Sequence, residues 1–258
     1  MILDIAYTQH RGTDWRYPVQ QDALWNSVEV IQSRNRLPAG LQTHADVVSL
    51  AVADGLGGTP QAERASRTVL EELAAAIQGG ALFDRGLVRR IHARLCDRLA
   101  FGETIGSATT LAAVQIQGEQ CAVMNVGDSR VYRLSSQGEW QQLSRDHTVL
   151  NGMIARGEAE EGEEYANVYN MLDSCLAADS EEADFDIHQC VAPFLPGYAL
   201  LLCTDGVHDT LGSASLQQLI VPGTSALAQA QILRKAVIRA GAPDNFSLIF
   251  IASNAVAC

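Results

Sequence analysis

Two spacings of apolar residues follow one another along this chain, and they predict two kinds of element. Residues 62–77 and 87–99 carry apolar side chains at intervals of three and four, which predicts two amphipathic helices. From Gly106 onward the pattern changes to short apolar runs separated by Gly118-Glu119 and Gly127-Asp128, which predicts an antiparallel meander. The runs of the meander are 107–117, 120–126 and 129–134.

Weaker patterns predict the rest of the chain. Thr59 before Pro60 is typical of the start of a helix, with Thr59 as its N-cap. Pro38 and Gly40 indicate a loop, and the acidic, weakly patterned stretch 158–186 indicates a mobile excursion. The remaining predicted elements are strands at 2–8, 23–32, 47–52, 200–204 and from 246, and helices at 148–156 and 225–240.

The order of these elements predicts the architecture. Strands do not alternate regularly with helices, which disfavours a parallel doubly wound sheet. Antiparallel strands that are apolar on both faces need cover on both sides, and two sheets packed together with amphipathic helices outside provide it. No Pro/Ser-rich linker or composition break divides the chain, so residues 1–258 are expected to form a single domain.

Composition narrows the function. Eighteen Lys and Arg residues stand against 30 Asp and Glu, a formal charge of −12, which argues against nucleic acid or an anionic membrane surface as a partner. The six cysteines show no CxxC spacing, so neither a disulfide framework nor a zinc site is expected. The first residues lack the basic and apolar regions of a signal peptide, and no run approaches the ~20 apolar residues of a membrane helix, so a cytoplasmic protein is predicted.

Three carboxylates lie at the ends of predicted strands. Asp54-Gly55 follows the apolar run 47–52, Asp205-Gly206 repeats the same design, and Asp244 comes just before the last strand. An Asp-Gly pair after a strand is usually only a turn. Three such carboxylates from distant parts of the chain indicate a metal site assembled by folding, in which the Gly55 carbonyl is a further oxygen ligand.

A series of short motifs gives the chain a resemblance to the PP2C (PPM-type) metal-dependent serine/threonine protein phosphatases in their compact bacterial form. The motifs occur in the family's order between about Gln20 and Ile251. They are Gln20-Gln21-Asp22-Ala23, Val52 to Gly58, Glu63-Arg64-Ala65-Ser66, Gly106 to Leu111, Val126 to Tyr132, Arg145-Asp146-His147-Thr148, Leu202 to Val207 and Asp244-Asn245-Phe246-Ser247.

The resemblance implies an α+β fold, a four-layer α-β-β-α sandwich of two mostly antiparallel sheets flanked by helices, with a binuclear Mn²⁺/Mg²⁺ centre. It implies that Asp54 bridges both metals and that the Gly55 carbonyl binds one of them. Asp205 and Asp244 would bind the other metal, and Asp22 would lie beside the centre and orient the water. Asp128 would help to bind a third, weaker metal ion; the alternative is that Asp128 only closes a hairpin turn.

The chemistry of the residues agrees with these implied roles. Hard divalent ions choose carboxylate, carbonyl and water ligands. Two such ions about 3.5–4 Å apart acidify a water and clamp the attacked phosphate, so no serine or cysteine nucleophile is needed.

The chain departs from the family pattern at three positions, and at one of them Thr59 stands where many bacterial members carry a histidine after Gly-Gly. Leu56 stands where some members carry a general-acid histidine, so the leaving group must take its proton from water or elsewhere. Tyr17 stands at the position of the usual phosphate-binding arginine, with Arg16 one residue earlier. Arg16 is the predicted phosphate ligand; Arg11 in its place, or no such contact, are the alternatives. His147 and His208 are interpreted as structural hydrogen-bonding groups.

The function predicted from the sequence is hydrolysis of phosphoserine and phosphothreonine in proteins, opposing a bacterial Ser/Thr kinase. One alternative is a phosphatase of regulatory phosphoproteins like those of the sporulation and stress-response branch. The other is a catalytically inactive PP2C-like domain that binds a regulatory partner, which predicts lost metal carboxylates.

Overall fold

Two six-stranded antiparallel sheets form the centre of the molecule. The computed structural model describes residues 1–160, 163, 165–179 and 185–254. Its strands are β1 (Ile2–His10), β2 (Ala23–Trp25), β3 (Val30–Ile31), β4 (Asn35–Thr43), β5 (Val47–Ala53), β6 (Ala108–Thr109), β7 (Leu111–Gln117), β8 (Gln120–Val126), β9 (Arg130–Leu134), β10 (Trp140–Gln142), β11 (Leu176–Ala177), β12 (His188–Pro193), β13 (Ala199–Cys203) and β14 (Phe246–Asn254).

The strand orders bring distant parts of the chain together. The first sheet has the order β10-β9-β13-β14-β1-β4, the second has the order β12-β8-β7-β5-β2-β3, and β6 pairs with β11. In the first sheet β1 pairs with β14 from Ile2↔Asn254 to His10↔Phe246. Strands near both ends of the described chain are therefore neighbours.

Alternation along the strands builds the core. In β5, Leu50 and Val52 lie in the apolar cluster shared by the two sheets, whereas Ala51 and Ala53 lie in the cluster shared with helices. Because successive side chains of a strand point to opposite faces, one apolar run serves both layers. The small alanines on the outer face let a helix approach closely.

Helices cover the outer face of each sheet. The helices of the described residues are α1 (Ala62–Gln78), α2 (Arg85–Leu99), α3 (Val149–Ala155), α4 (Asp205–Leu211), α5 (Ser213–Leu219) and α6 (Ala226–Arg239), of which all but α3 pack on a sheet. Apolar residues of α1 and α2 share a buried cluster with the second sheet, and those of α4, α5 and α6 share one with the first. This arrangement confirms the predicted α-β-β-α sandwich. Within the described residues, no helix has the length and apolar character to cross a membrane.

Three predictions in the first half of the chain were wrong. The expected loop around Pro38 is part of β4, an edge strand paired only with β1 and irregular in register at this point, where the missing N–H costs no ladder bond. The expected single strand 23–32 is two strands, β2 and β3. Helix α1 begins at Ala62 after Gln61, because the Thr59 hydroxyl donates to the Leu56 carbonyl instead of capping the helix.

The meander divides between the sheets. Strands β7 and β8 pair in the second sheet, as the pattern predicts. Strand β9 leaves them and pairs with β13 in the first sheet, so the turn between β8 and β9 passes from one sheet to the other. In the predicted excursion 158–186, residues 161, 162, 164 and 180–184 lie outside the described part; the rest contains a 3₁₀ turn at Asn167–Asn170 and strand β11.

Candidate metal centre

Five aspartates lie where strands of the two sheets begin or end. Asp54 directly follows β5, Asp22 directly precedes β2, and Asp128 lies in the turn between β8 and β9. Asp205 follows β13 and is the first residue of α4, and Asp244 lies in the turn before β14. The strand ends of both sheets therefore deliver carboxylates to one edge of the sandwich.

A cavity of about 350 Å³ collects most of the predicted site residues. Its walls contain Asp54, Gly55, Asp128, Asp205 and Asp244. The other lining residues are Tyr17, Gln21, Leu56, Gly57, Thr59, Thr110, Met171, Leu172 and Asn245. Two predicted site residues, Asp22 and Arg16, are not among them.

Asp22 is completely buried directly behind this cavity. One oxygen of its carboxyl group, Oδ2, accepts hydrogen bonds from the hydroxyls of Thr204 at 2.9 Å and Ser247 at 2.8 Å. The other oxygen, Oδ1, has no hydrogen-bond partner among the described residues. A buried polar atom without a partner is costly, so Oδ1 calls for a proton, a water or an ion beside it.

Burial and mutual repulsion make these carboxyl groups weak acids. The pKa of Asp22 and the pKa of Asp128 are each raised to about 7. Burial is the main cause, and the negative charge of Asp205 raises both pKa values further. The same two causes raise the pKa of Asp244 to about 6, and they raise the pKa of Asp54 well above its ordinary value. Bound cations would relieve this repulsion, which is the electrostatic pattern of a metal centre.

Two glycines let the backbone come close at the centre. A Cβ at Gly55 would stand 2.5 Å from the carbonyl oxygen of Ala62, and a Cβ at Gly206 would stand 1.9 Å from that of Asn245. Both distances are far below any real contact. The Asp-Gly pairs of the sequence are therefore required by close packing beside each carboxylate.

Two histidines hold the turn that carries Asp128. The His147 ring accepts a hydrogen bond from the Gly127 amide at 3.0 Å. The buried His208 places Nε2 3.1 Å from the Asp128 carbonyl oxygen and Nδ1 2.9 Å from the Asp209 carboxylate. These contacts are of the structural kind predicted for both histidines.

Arg16 lies outside the main cavity. Its side chain is 66% exposed, and its guanidinium forms an ion pair with Asp14, with Nε and Nη2 2.9 and 2.5 Å from Oδ2. It lines a neighbouring cleft of about 270 Å³ that also reaches Asp205 and Asp244. To bind a phosphate in the main cavity, Arg16 would first have to leave Asp14. Its phosphate-binding role stays a prediction.

The donor set fits Mn²⁺ or Mg²⁺. The cavity offers four carboxylates and the Gly55 carbonyl, and the described lining contains neither thiol nor imidazole. Oxygen ligands of this kind suit hard divalent ions rather than zinc or copper. Across residues 1–160, 163, 165–179 and 185–254 no three His, Cys, Asp or Glu side chains form a closed ligand group. The carboxylates thus line an open cavity and do not enclose a ready cage.

Sequence reasoning gave no role to several residues that shape the site. Thr204 and Ser247, which hold Asp22, lie inside the quoted motifs, so their position beside Asp205 and Asn245 was a usable signal. Met171 and Leu172 reach the cavity from the stretch expected to be a mobile excursion, and no pattern pointed to them.

A two-sheet sandwich with a cluster of carboxylates at its edge is the arrangement that the sequence motifs predict for a PP2C-type domain. The family model described as "Protein phosphatase 2C" matches residues 38–239, and the chain belongs to this family. It is 27% identical over 208 residues to the serine/threonine protein phosphatase PstP of Mycobacterium tuberculosis, covering 78% of this chain but only 39% of that protein. It is 25% identical over 213 residues to the serine/threonine phosphatase stp of Listeria innocua, covering 79% and 83%.

A solved structure confirms the fold. The crystal structure of the catalytic domain of the phosphatase PstP, in complex with two manganese ions, matches with a TM-score of 0.73. The match covers 99% of this chain and 100% of that chain at 23% identity. At this level of sequence identity the structural match supports a common fold only.

Proposed function

We propose that this chain is a protein serine/threonine phosphatase that hydrolyses phosphoserine and phosphothreonine esters at a centre of two Mn²⁺ or Mg²⁺ ions. The observation that carries the proposal is the cavity at the sheet edges, where Asp54, Asp128, Asp205 and Asp244 converge without a cationic side chain in the described lining. The inactive alternative requires lost carboxylates, and every carboxylate of the predicted site is present.

The roles proposed for the residues follow the positions they occupy. Asp54 and the Gly55 carbonyl would hold ions on the side of the second sheet, with Asp54 shared by both, and Asp205 and Asp244 would hold one on the side of the first sheet. Bound ions supply the positive charge that acidifies a water and offsets the charge of the phosphate. Asp22, fixed from behind by two hydroxyls, orients that water.

The reaction displaces the serine or threonine oxygen from phosphorus. The oxygen of water forms the new bond to phosphorus, the ester P–O bond breaks, and the leaving oxygen takes a proton. The described lining contains no histidine, and Leu56 lies in the wall. The proton comes from water or from another group of the site, and the products are inorganic phosphate and the free hydroxyl.

The substrates we propose are phosphorylated Ser/Thr proteins of a bacterial kinase pathway, in which this chain would oppose the kinase. The relatives named serine/threonine phosphatases support the substrate class. We propose in addition that residues 1–258 act as one domain, since β1 and β14 are paired neighbours. The identity of the kinase and the cytoplasmic location stay predictions.

Activity on a phosphothreonine peptide tests the proposed function directly. Protein stripped of metal with EDTA should be inactive, and Mn²⁺ or Mg²⁺ should restore turnover in the presence of okadaic acid. A phosphotyrosine peptide of the same sequence serves as the comparison substrate. Full activity of the metal-free protein would refute the binuclear centre, and no activity with any divalent ion would refute the phosphatase.

A further inference from the structure

The cavity holds few groups that can meet a phosphate dianion. Four carboxylates repel it, and the described lining has no Lys, Arg or His side chain. Bound metal ions cannot cover every oxygen of a phosphate group. The remaining oxygens need hydrogen-bond donors from neutral side chains of the wall.

Most neutral donors of the wall are already engaged. The Thr59 hydroxyl donates to the Leu56 carbonyl at 2.8 Å, and the Thr110 hydroxyl is 2.7 Å from that of Ser129. The Asn245 amide donates to the Arg11 carbonyl at 2.6 Å. Recruiting any of these to a ligand would break a bond that shapes the site.

Two neutral donor side chains of the lining have no hydrogen-bond partner among the described residues: the Tyr17 hydroxyl and the Gln21 amide. The Tyr17 ring lies directly over Gly57, where an added Cβ would stand 2.8 Å from the hydroxyl oxygen. This contact fixes the ring against the turn that follows Asp54. Tyr17 also lines the neighbouring cleft shared with Asp205 and Asp244, so the residue forms part of the wall between the two cavities.

The backbone of Tyr17 is held as well. The Arg11 guanidinium donates to the Tyr17 carbonyl at 2.7 Å and to the Asp14 carbonyl at 3.2 Å. Arg11 is in turn tied through its own carbonyl to Asn245, next to Asp244. Arg11 therefore stabilises the backbone of this loop, while the Arg16 guanidinium forms an ion pair with Asp14. The two arginines of this loop are therefore engaged by partners outside the main cavity.

We propose that Tyr17 is a substrate-binding residue whose hydroxyl donates a hydrogen bond to a phosphate oxygen of the substrate. The inference rests on the proposed phosphatase function and adds the residue that meets the phosphate from the protein side. A phenol donates one hydrogen bond and carries no charge, so it binds the dianion without competing with the metal ions for the carboxylates.

The test compares Tyr17→Phe with wild-type protein loaded with Mn²⁺. Phe keeps the ring over Gly57 and removes only the hydroxyl. Binding of inorganic phosphate, followed by calorimetry, should weaken about tenfold, the usual size for a lost hydrogen bond to a charged group. Mn²⁺ affinity measured in the same way should not change. The kcat/KM for p-nitrophenyl phosphate and for a phosphothreonine peptide should fall by a similar factor, because both carry the same phosphate.

Tyr198→Phe is the matched control, since Tyr198 lines a separate pocket with Asp4 and Val221, and it should leave all these quantities unchanged. Gln21→Leu tests the other free donor. Unchanged phosphate binding in Tyr17→Phe would overturn the inference, and so would loss of Mn²⁺ binding, which would make Tyr17 structural. A phosphate defect found only in Gln21→Leu would overturn it in favour of Gln21. These results leave the proposed function intact as long as the wild type is active; an inactive wild type overturns both.

Discussion

Asp54 and Asp205 both line the cavity but come from different sheets, and the charge of Asp205 adds to the burial that raises the pKa of Asp54. Such a site is useful only if bound cations compensate the charge. We expect Asp54→Ala and Asp205→Ala each to lower kcat/KM at least ~10²-fold, because electrostatic stabilisation by the centre supplies most of the rate. Steady-state kinetics at saturating Mn²⁺ measures the loss.

Asp97→Ala is a suitable comparison for both variants. Asp97 is exposed on α2 and its only ion pair in the described structure, to Arg94, is long at 3.5 Å. Its removal should leave kcat/KM unchanged. Equal loss in Asp97→Ala would show that the effect of the other two variants is one of net charge.

Asp128 differs from the other lining carboxylates in its attachment. It lies in a turn that two histidines, His147 and His208, hold through hydrogen bonds to the backbone of Gly127 and Asp128. We expect Asp128→Ala to reduce turnover while calorimetry still detects two tightly bound Mn²⁺ ions, because Asp54, Asp205 and Asp244 are untouched. Loss of tight binding would assign Asp128 to the binuclear centre and not to a third, weaker site.

At the scale of elements, a buried ion pair fastens β9 to the segment after β10. The Arg130 guanidinium contacts the Asp146 carboxylate at 2.6 and 2.9 Å, with side-chain exposures of 18% and 8%. Gln142 and Tyr132 add hydrogen bonds to the same pair. The pair stands beside the turn that carries Asp128, so it supports the site as well as the sheet.

Removing one partner of this pair should be costly. Arg130→Ala leaves the Asp146 carboxylate buried without its cation, and we expect the free energy of unfolding to fall by about 3–5 kcal/mol. The double variant Arg130→Met with Asp146→Leu should lose much less, because no unpaired charge remains. Urea denaturation of the three proteins checks this, and a single variant as stable as the wild type would contradict it.

At the scale of the whole molecule, the buried carboxyl groups couple stability to pH and metal. The pKa of Asp22 and that of Asp128 are raised to about 7 in the folded protein, and the pKa of Asp244 to about 6, from an ordinary value near 4 in the unfolded chain. A raised pKa means that the carboxyl groups of the folded state keep their protons to a higher pH than those of the unfolded chain. The stability contributed by these groups is therefore full below about pH 4 and is lost as the pH rises through about 7.

Metal binding should reverse this loss. We expect the gain in Tm on adding Mn²⁺ to EDTA-treated protein to be small at pH 5 and to grow up to about pH 7.5, because the ligand carboxylates must first release their protons. Differential scanning calorimetry at several pH values measures the gain. A gain that is constant from pH 5 to 8 would show that the carboxyl groups of the centre do not titrate in this range.

Local patterns in the sequence determined a large part of this protein. The apolar run 47–52 must be a buried strand, and its alternation sends Leu50 and Val52 to one layer and Ala51 to the other. The run therefore ends with Asp54 at a sheet edge. The spacing of apolar residues along a strand or helix can be seen in the local sequence. The strand, the helices α1 and α2 and the four-layer fold could therefore be predicted.

Local patterns could not predict the elements whose structure depends on which of several partners they contact. Thr59 has the residue type of an N-cap, but its hydroxyl donates to Leu56 and accepts from the Ala108 amide, which belongs to a distant segment. The run 129–134 looks the same whichever sheet it joins, and pairing with β13 places it in the first sheet. Both outcomes depend on contacts made only after folding.

The final geometry of the site was decided by tertiary structure alone. Asp22 accepts hydrogen bonds from Thr204 and Ser247, which are 182 and 225 residues away in the sequence. Arg16 pairs with Asp14 and Tyr17 lines the cavity. Motif spacing had placed Tyr17 at the position of the phosphate-binding arginine, but residue type favoured Arg16, and only the folded loop shows which side chain reaches the wall. The sequence determined which oxygen ligands the strands deliver, because strand ends follow from local pattern. Which side chains meet the phosphate depends on how loops from both sheets pack against each other.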